Sequence, residues 1–386
     1  MLYILIKNKK FMEYSIIINR ELLIKPLQYI TNIITNRSVL PIINNILIEF
    51  LENGIIIFKS TNLEIEIISI LNNKFNQKKY SVTIQGKKFY NICYSLPKNK
   101  DIKILFNKSQ AIISSQKCYF TITIFPINNF PSINFIKYDI KFNLTHKTIK
   151  KFINSTYFSI ANNDVRKYLN GLLLQIKNNT LNIVSTDGHR LSIYTSYIFN
   201  TKIINNYAVI IPRKSIFELS RLIKNTDELI NIKINNDNIC FIFNNLKFTS
   251  KLIKGEFPDY LKIIPKIFHK NVKINRLMFK NALHRISIIV NEKTKGVTLS
   301  FSNFNLRIFS ININNEMAEE ILEIEKYDNK IKYDIDISIN INYLIDVINV
   351  LDGNIIKISF INNVSSIRIE DIYDKNKFYL IMPMKI

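Results

Sequence analysis

The sequence predicts an α+β protein built from three repeated domains, each with two helices and antiparallel sheets. Three recurring features predict it: an amphipathic helical segment, a strand–turn–strand segment after it, and a second helical segment further on. Each feature returns in the same order at an interval of about 125–130 residues.

The first helical segments are Asn19–Ile34 (NRELLIKPLQYITNII), Thr145–Ile160 (THKTIKKFINSTYFSI) and Asn275–Val290 (NRLMFKNALHRISIIV). In the first, Ile24, Leu27, Ile30 and Ile34 fall on one helical face. Pro26 lies inside that segment and has no N–H to donate, so a kink is expected there. The strand pairs are Ile46–Phe50 with Ile55–Phe58, Leu172–Ile176 with Leu181–Val184, and Val297–Phe301 with Leu306–Phe309. β-Branched and aromatic residues flank Asn/Gly/Ser turns in each, the pattern of a hairpin. The exits are Ser60-Thr61-Asn62, Ser185-Thr186-Asp187 and Ser310-Ile311-Asn312. The second helices begin near Lys87, Arg213 and Asn340, and Phe130-Pro131, Phe257-Pro258 and Met382-Pro383 close the units. Domains are therefore expected at 12–139, 140–266 and 267–386. Residues 1–11 read as an extension ahead of Met12: apolar Met1–Ile6 precedes Lys7, Lys9 and Lys10, the reverse of a secretory leader.

A chain of 386 residues exceeds one ordinary core. With 47% hydrophobic and 22% charged residues it has the apolar content to fold, which excludes a disordered chain. No apolar run is long enough to span a membrane. Cys93, Cys118 and Cys240 are widely spaced and form no ligand motif. A disulfide framework and structural zinc are excluded, and the three read as small buried hydrophobes in a reducing cytoplasm. The net charge of +23 attracts polyanions, nucleic acid first among them. Part of that charge is background, because the whole chain is rich in Ile, Asn and Lys.

A domain of this length has a radius of gyration of ~14 Å, so six in a hexagon enclose a hole of about one domain diameter (~35 Å), wide enough for a DNA duplex. Three domains leave too small a hole, so two chains head to tail are needed for a six-domain ring. The first helices carry Arg20, Lys25, Lys147, Lys150, Lys151, Arg276, Lys280 and Arg285. The second carry Lys87, Lys88, Arg213, Lys214, Arg221 and Lys224. On the inner face these would meet phosphates without reading bases, with Lys87, Arg213 and Lys214 the chosen contacts. The second helix of the third unit breaks the pattern, with Asp346 and no Lys or Arg.

The chain resembles the bacterial sliding-clamp family, the beta subunit of DNA polymerase III. The strongest stretch runs from Asp164 to Leu191 (DVRKYLNGLLL, then STDGHRL). KPLQ at Lys25, LPI at Leu40, STNLE at Ser60, FPDY at Phe257, VSSIRIED at Val364 and IMPMKI at Ile381 complete it in order. The resemblance covers about Met12 to Ile386. It implies the DNA clamp fold, a head-to-tail homodimeric ring and no catalysis or cofactor. The implied partners are double-stranded DNA, the polymerase III catalytic subunit, the clamp loader and other proteins with clamp-binding motifs. It also implies a partner-peptide pocket at Leu169, Thr186, Gly188, His189, Arg190, Leu191, Pro258, Lys262, Ile263, Asn340, Tyr343, Val364, Ser366, Leu380, Met382, Pro383 and Met384. Those residue types suit an adaptable apolar groove with a few polar anchors. Family positions that touch DNA match Arg37, Asn163, Lys167 and Tyr168. Ring-interface positions match Phe120, Ile122, Ile288 and Ile289, whose other reading is ordinary core. Departures are Lys262 and Lys385 where the family often has Arg, and Thr294 where it often has an aromatic residue.

Two other classes were weighed. Thr186-Asp187-Gly188-His189-Arg190 brings Asp, His and Arg together as an enzyme would, but no second ligand set, phosphate loop or nucleophile motif accompanies it. A basic protein that grips DNA without encircling it has no helix-turn-helix or zinc finger to support it. The acidic run Glu316–Glu325 reads as a solvated surface face.

Overall fold

The computed structural model describes residues 14–34, 40–72, 78–128, 130–133, 137–198, 206–302, 304–326 and 335–384. Residues 1–11, Arg37 and Lys385 fall outside that range.

Six α-helices are present among the described residues: α1 (Arg20–Thr31), α2 (Gly86–Ser95), α3 (His146–Thr156), α4 (Arg213–Leu222), α5 (Arg276–Ile286) and α6 (Ile341–Val350). These are the two helices expected of each repeat. Asparagine begins three of them. The Asn19 side chain accepts from Glu21 N, that of Asn275 from Leu277 N and Met278 N, and that of Asn340 from Asn342 N. Each satisfies a backbone donor that the first helical turn leaves free. Pro26 does not end α1 and is buried within it.

The strands, numbered in chain order, form three sheets. The first has twelve strands in the order β1 (Tyr14–Asn19), β6 (Asp101–Phe106), β7 (Gln110–Ser115), β8 (Cys118–Phe125), β5 (Tyr80–Gln85), β2 (Asn45–Phe50), β3 (Ile55–Thr61), β4 (Ile65–Asn72), β16 (Leu246–Lys251), β15 (Asn238–Phe243), β14 (Leu229–Ile234) and β9 (Ile140–Thr145). The second runs β13 (Tyr207–Pro212), β10 (Gly171–Lys177), β11 (Thr180–Thr186), β12 (Arg190–Tyr197), β25 (Lys377–Ile381), β24 (Ile367–Asp371), β23 (Ile355–Phe360), β17 (Lys270–Asn275) and β21 (Glu325–Lys326). The third runs β20 (Met317–Glu323), β19 (Asn305–Ile311), β18 (Gly296–Phe301) and β22 (Ile335–Asn340). All described pairings between named strands are antiparallel, as the hairpin spacing predicts.

The strands divide the chain into two compact units. One holds the described residues up to His146 with Glu218–Leu252, and the other holds Lys147–Phe217 with Ile253 onward. The division runs through the second repeat, because its strands pair with both neighbours. In the first unit β4 pairs with β16, from Ser69↔Leu246 to Ile65↔Ser250. In the second unit β12 pairs with β25, from Tyr194↔Lys377 to Arg190↔Ile381.

Alternating apolar residues on these strands pack against the helices. In the third repeat Phe279, Leu283, Phe301, Leu344, Phe360 and Tyr379 are fully buried in one cluster. Each such side chain contributes about 1.5–3 kcal/mol by leaving water. In the first repeat Tyr14 stacks on Tyr80 at 4.9 Å.

Three expectations are corrected. Cys118 is exposed rather than a buried hydrophobe, because β8 shows both faces to solvent over most of its length. Arg20 and Arg276 do not belong to a phosphate-facing surface. Arg20, only 3% exposed, donates to the carbonyls of Cys93 and Tyr94, and Arg276 Nε donates to Gly353 O at 2.7 Å. Each guanidinium caps the end of the second helix of its own repeat, where carbonyls lack partners. The acidic run is an edge strand with cis ion pairs: Glu319 and Glu320 bond to Arg307 and Arg285.

The second repeat places His146 where the others place arginine. His146 is 1% exposed, its Nδ1 accepts from Lys224 N at 3.2 Å, and its ring meets Phe243 edge-on. Burial holds its pKa below the ordinary histidine value; Glu228 opposes that shift and Lys224 adds to it. Because the folded value lies below the unfolded one, the stability is complete above about pH 6.5 and declines as pH falls through that value, by at most ~1.4 kcal/mol per pH unit for one proton. A His146→Gln variant, whose amide oxygen accepts the same bond, is expected to lose less stability than the parent between pH 7.5 and 5.5 in urea titrations. Equal losses would remove His146 as the cause.

Candidate partner-peptide pocket

The pocket is built around the turn between β11 and β12. Thr186 Oγ1 donates to Arg190 O at 2.6 Å and accepts from Gly188 N at 3.0 Å. Asp187 Oδ1 accepts from His189 N and Arg190 N. Gly188 has φ +93°, which disfavours a side chain, and a Cβ there would lie 3.2 Å from the Arg166 guanidinium. The turn thus satisfies its own backbone and aims Arg190 and Leu191 away from it.

Arg190 is held on every side. Its Nε donates to Asp187 at 2.9 Å, NH1 to Asp346 at 2.6 Å, and NH2 to the Phe158 carbonyl. The guanidinium lies over the Tyr343 ring at 4.4 Å and the Phe158 ring at 5.3 Å. These contacts fix the planar group in one orientation. Asp346, the acid that interrupts the basic helices, is thereby accounted for.

Beside this turn lies a cavity of about 340 Å³ lined by Arg166, Tyr168, Leu169, Thr186, Gly188, Arg190, Leu191, Pro258, Ile263, Leu380 and Met382. A short 3-10 turn, Lys167–Asn170, supplies Tyr168 and Leu169, and the end of β25 supplies Leu380. Met382 N donates to His189 O at 2.8 Å, which ties the tail to the turn. Leu173, Val184, Leu191, Ile193, Ile210, Tyr260 and Leu380 form the apolar cluster there. Tyr260 anchors it through Gln175 at 2.8 Å, and burial pushes its pKa up. The rim charges are paired. Arg166 bonds Asp164 at 2.9 Å and holds that carboxyl at about 2, and Lys262 pairs with Asp259. The arrangement offers an apolar trough with fixed polar edges, suited to side chains of an extended peptide.

Of the pocket residues expected from sequence, Leu169, Thr186, Gly188, Arg190, Leu191, Pro258, Ile263, Leu380 and Met382 line this cavity. The others do not. His189 is exposed, Lys262 sits on the rim turn, and Val364 is 70% exposed. Asn340 caps α6, Tyr343 carries Arg190, and Ser366 is buried. Pro383 and Met384 are half-buried, with Met384 N bonded to Ser338 O. Sequence reasoning missed Arg166. The available signal was Asp164 two residues earlier, an acid placed to bond both its backbone and its side chain.

The residues expected at DNA divide similarly. Asn163, with φ +58°, Lys167 and Lys214 are exposed, and Lys87 is half-buried. Tyr168 stands in the pocket wall. Arg213 donates to Ile160 O and lies 4.6 Å over Tyr157. At the expected interface, Phe120 is 37% and Ile288 79% exposed, and Ile122 and Ile289 are half-buried. The core reading of those four fails.

Comparison with known proteins agrees with this geometry. Family models of the DNA polymerase III beta subunit match residues 14–134 (N-terminal domain), 143–259 (central domain) and 261–385 (C-terminal domain). The beta sliding clamp of Haemophilus influenzae is 35% identical over 97% of this chain and all of its own length. That of Escherichia coli is 32% identical over 96% of this chain and 99% of its own. A crystal structure of a DNA polymerase sliding clamp from Pseudomonas aeruginosa with ligand has 30% identity and a TM-score of 0.92, covering 96% of this chain and all of that one. Another clamp from that organism, bound to griselimycin, has 31% identity and a TM-score of 0.91, covering 97% of this chain and all of that one. The chain belongs to the DNA polymerase III beta subunit family, the bacterial beta sliding clamps.

Proposed function

We infer that two copies of this chain close head to tail around duplex DNA and tether the replicative polymerase. The reading treats the chain as a processivity factor and not an enzyme. One observation carries it. The repeats make β4, β12 and β20 equivalent, and likewise β16, β25 and β8. Two of the three equivalent pairings, β4 with β16 and β12 with β25, form within the chain. The third set, β20 and the first part of β8, has no strand on its outer edge among the described residues. One edge of each kind per chain is the arrangement that a head-to-tail ring requires.

The repeats 12–139, 140–266 and 267–386 serve as the three domains of each copy. Lys87, Asn163, Lys167 and Lys214 meet phosphates without reading sequence, with Arg37 on the same surface. The trough at Leu169, Leu191, Ile263 and Met382 receives peptide segments of the polymerase, the clamp loader and other clamp-binding proteins, in the cytoplasm. The griselimycin complex of a Pseudomonas aeruginosa clamp supports the reading that this fold takes peptide-like ligands. No helix among the described residues is long and apolar enough to cross a membrane.

Retention on DNA tests the reading. Protein loaded by its clamp loader onto nicked circular plasmid is expected to co-elute with the plasmid at moderate salt. It is expected to be lost once the plasmid is cut. Equal retention on circular and linear DNA would mean gripping rather than encircling.

A further inference from the structure

We propose that the ring seam joins β8 of one copy to β20 of the next in a defined register, Cys118 opposite Glu320 of the partner subunit, with the acidic strand neutralised from within its own chain. The inference rests on the ring reading above and goes beyond it by fixing which residues meet.

The register follows from the repeats. Ile311↔Met317 closes the β19–β20 pair as Thr186↔Leu191 closes β11–β12 and Thr61↔Glu66 closes β3–β4. Glu320 is therefore equivalent to Tyr194 and Ser69. On the other side, Ser115↔Cys118 begins β8 as Phe243↔Leu246 begins β16. Leu246 pairs with Ser69, and Lys377 with Tyr194. The third member of that series is Cys118 with the partner's Glu320. Phe120 then faces the partner's Ala318, and Ile122 the partner's Glu316.

The hydrogen-bond phase follows too. Ile70 N donates to Asn245 O and Thr195 N to Asn376 O, each one step from the equivalent pair. Hydrogen-bonded and non-hydrogen-bonded pairs alternate along an antiparallel ladder. Cys118 and the partner's Glu320 thus form a non-hydrogen-bonded pair, whose Cβ atoms stand about 4.5–5.5 Å apart. Two cysteines there are within reach of a disulfide.

The side-chain chemistry fits a seam. On β20, Leu322 is buried and Glu320 bonds Arg285 of α5, so the even-numbered residues face α5. Phe120 would enter on that face, beside Ile288 and Ile289 just past α5. Glu319 on the opposite face is bonded to Arg307 at 2.8 Å. With both carboxylates already matched in cis, backbone pairing and apolar burial carry the seam, and salt has little to screen.

The test is oxidation of a Glu320→Cys variant, which retains native Cys118, under a mild oxidant. A covalent dimer on a non-reducing gel is expected, whereas Glu319→Cys, one residue out of register, gives none. A Phe120→Cys/Ala318→Cys chain, which keeps Glu320, is expected to cross-link as well. The parent's dimer dissociation constant, read by sedimentation, is expected to weaken less than about threefold between ~0.05 and ~0.5 M salt. Dimers that fail to cross-link at both designed pairs would overturn the register with the ring intact. Tenfold weakening by salt would overturn neutralisation in cis. A parent chain that stays monomeric would overturn the ring reading itself.

Discussion

An Arg190→Ala variant is expected to lose about 2–4 kcal/mol of stability and at least tenfold in affinity for a clamp-binding peptide. The side chain is 11% exposed and holds together groups from three segments: Asp187 of its own turn, Asp346 of α6, and the carbonyl of Phe158. Its removal leaves Asp187 facing Asp346 with no cation between them. It also leaves Phe158 and Tyr343 without the plane they enclose. Asp346 is 40% exposed, so water recovers part of the loss there, and the figure stays below that for a fully buried pair. Asp346→Asn keeps an acceptor and is expected to cost about 1 kcal/mol. Because both act on one guanidinium, Arg190→Ala/Asp346→Ala should destabilise less than the two single changes added together. Urea unfolding measures the first quantity and fluorescence anisotropy of a labelled peptide the second. An Arg190→Ala protein with the parental midpoint would show that these bonds are ornamental.

That cluster marks the limit of what the sequence discloses. The helices and hairpins are legible because their signals are local: apolar spacing around Leu27 and Ile30, Asn at the helix starts, turns between β-branched runs. The repeat is legible because those local signals recur. The partner of Arg190 is not, since Asp346 lies 156 residues away and looks like a misplaced charge on a basic helix. Arg20 and Arg276 mislead in the opposite sense. As sequence they are basic helix residues, and only the fold shows that each points back at the end of a neighbouring helix. Cys118 reads as a core residue by type, but its exposure depends on β8 having no strand on its outer edge there. Charge and burial are properties of the assembled neighbourhood, so resemblance located the pocket more fully than pattern did. Even so, it did not bring in Arg166, whose role comes from folding back onto Asp164.

The first repeat explains why a single residue, Leu191, should decide whether the pocket binds at all. Both repeats build the same turn. Thr61 Oγ1 donates to Ile65 O and accepts from Leu63 N, as Thr186 does with Arg190 and Gly188. Asn62 Oδ1 accepts from Glu64 N and Ile65 N, as Asp187 does from His189 N and Arg190 N. The next residues differ: Ile65 and Glu66 stand where the second repeat has Arg190 and Leu191. Glu66 is 2% exposed, accepts from Ile133 N at 3.0 Å and faces Lys59 at 3.7 Å. The first repeat thus closes that position with its own chain. Leu191→Glu would set a carboxylate on an equivalent turn, but among Leu173, Val184 and Leu380, where no such donor waits. The expected result is a loss of about 2–4 kcal/mol and at least a hundredfold in peptide affinity. Burial raises the new carboxyl's pKa, so relative to the parent the variant should be least unstable near pH 5 and worsen toward pH 8. Leu191→Met, which keeps volume and polarity, should stay within about 1.5 kcal/mol and still bind. Urea midpoints of all three proteins at both pH values, with peptide anisotropy, measure this. A Leu191→Glu chain that binds as the parent does would mean that the trough beside this turn is not where the peptide sits.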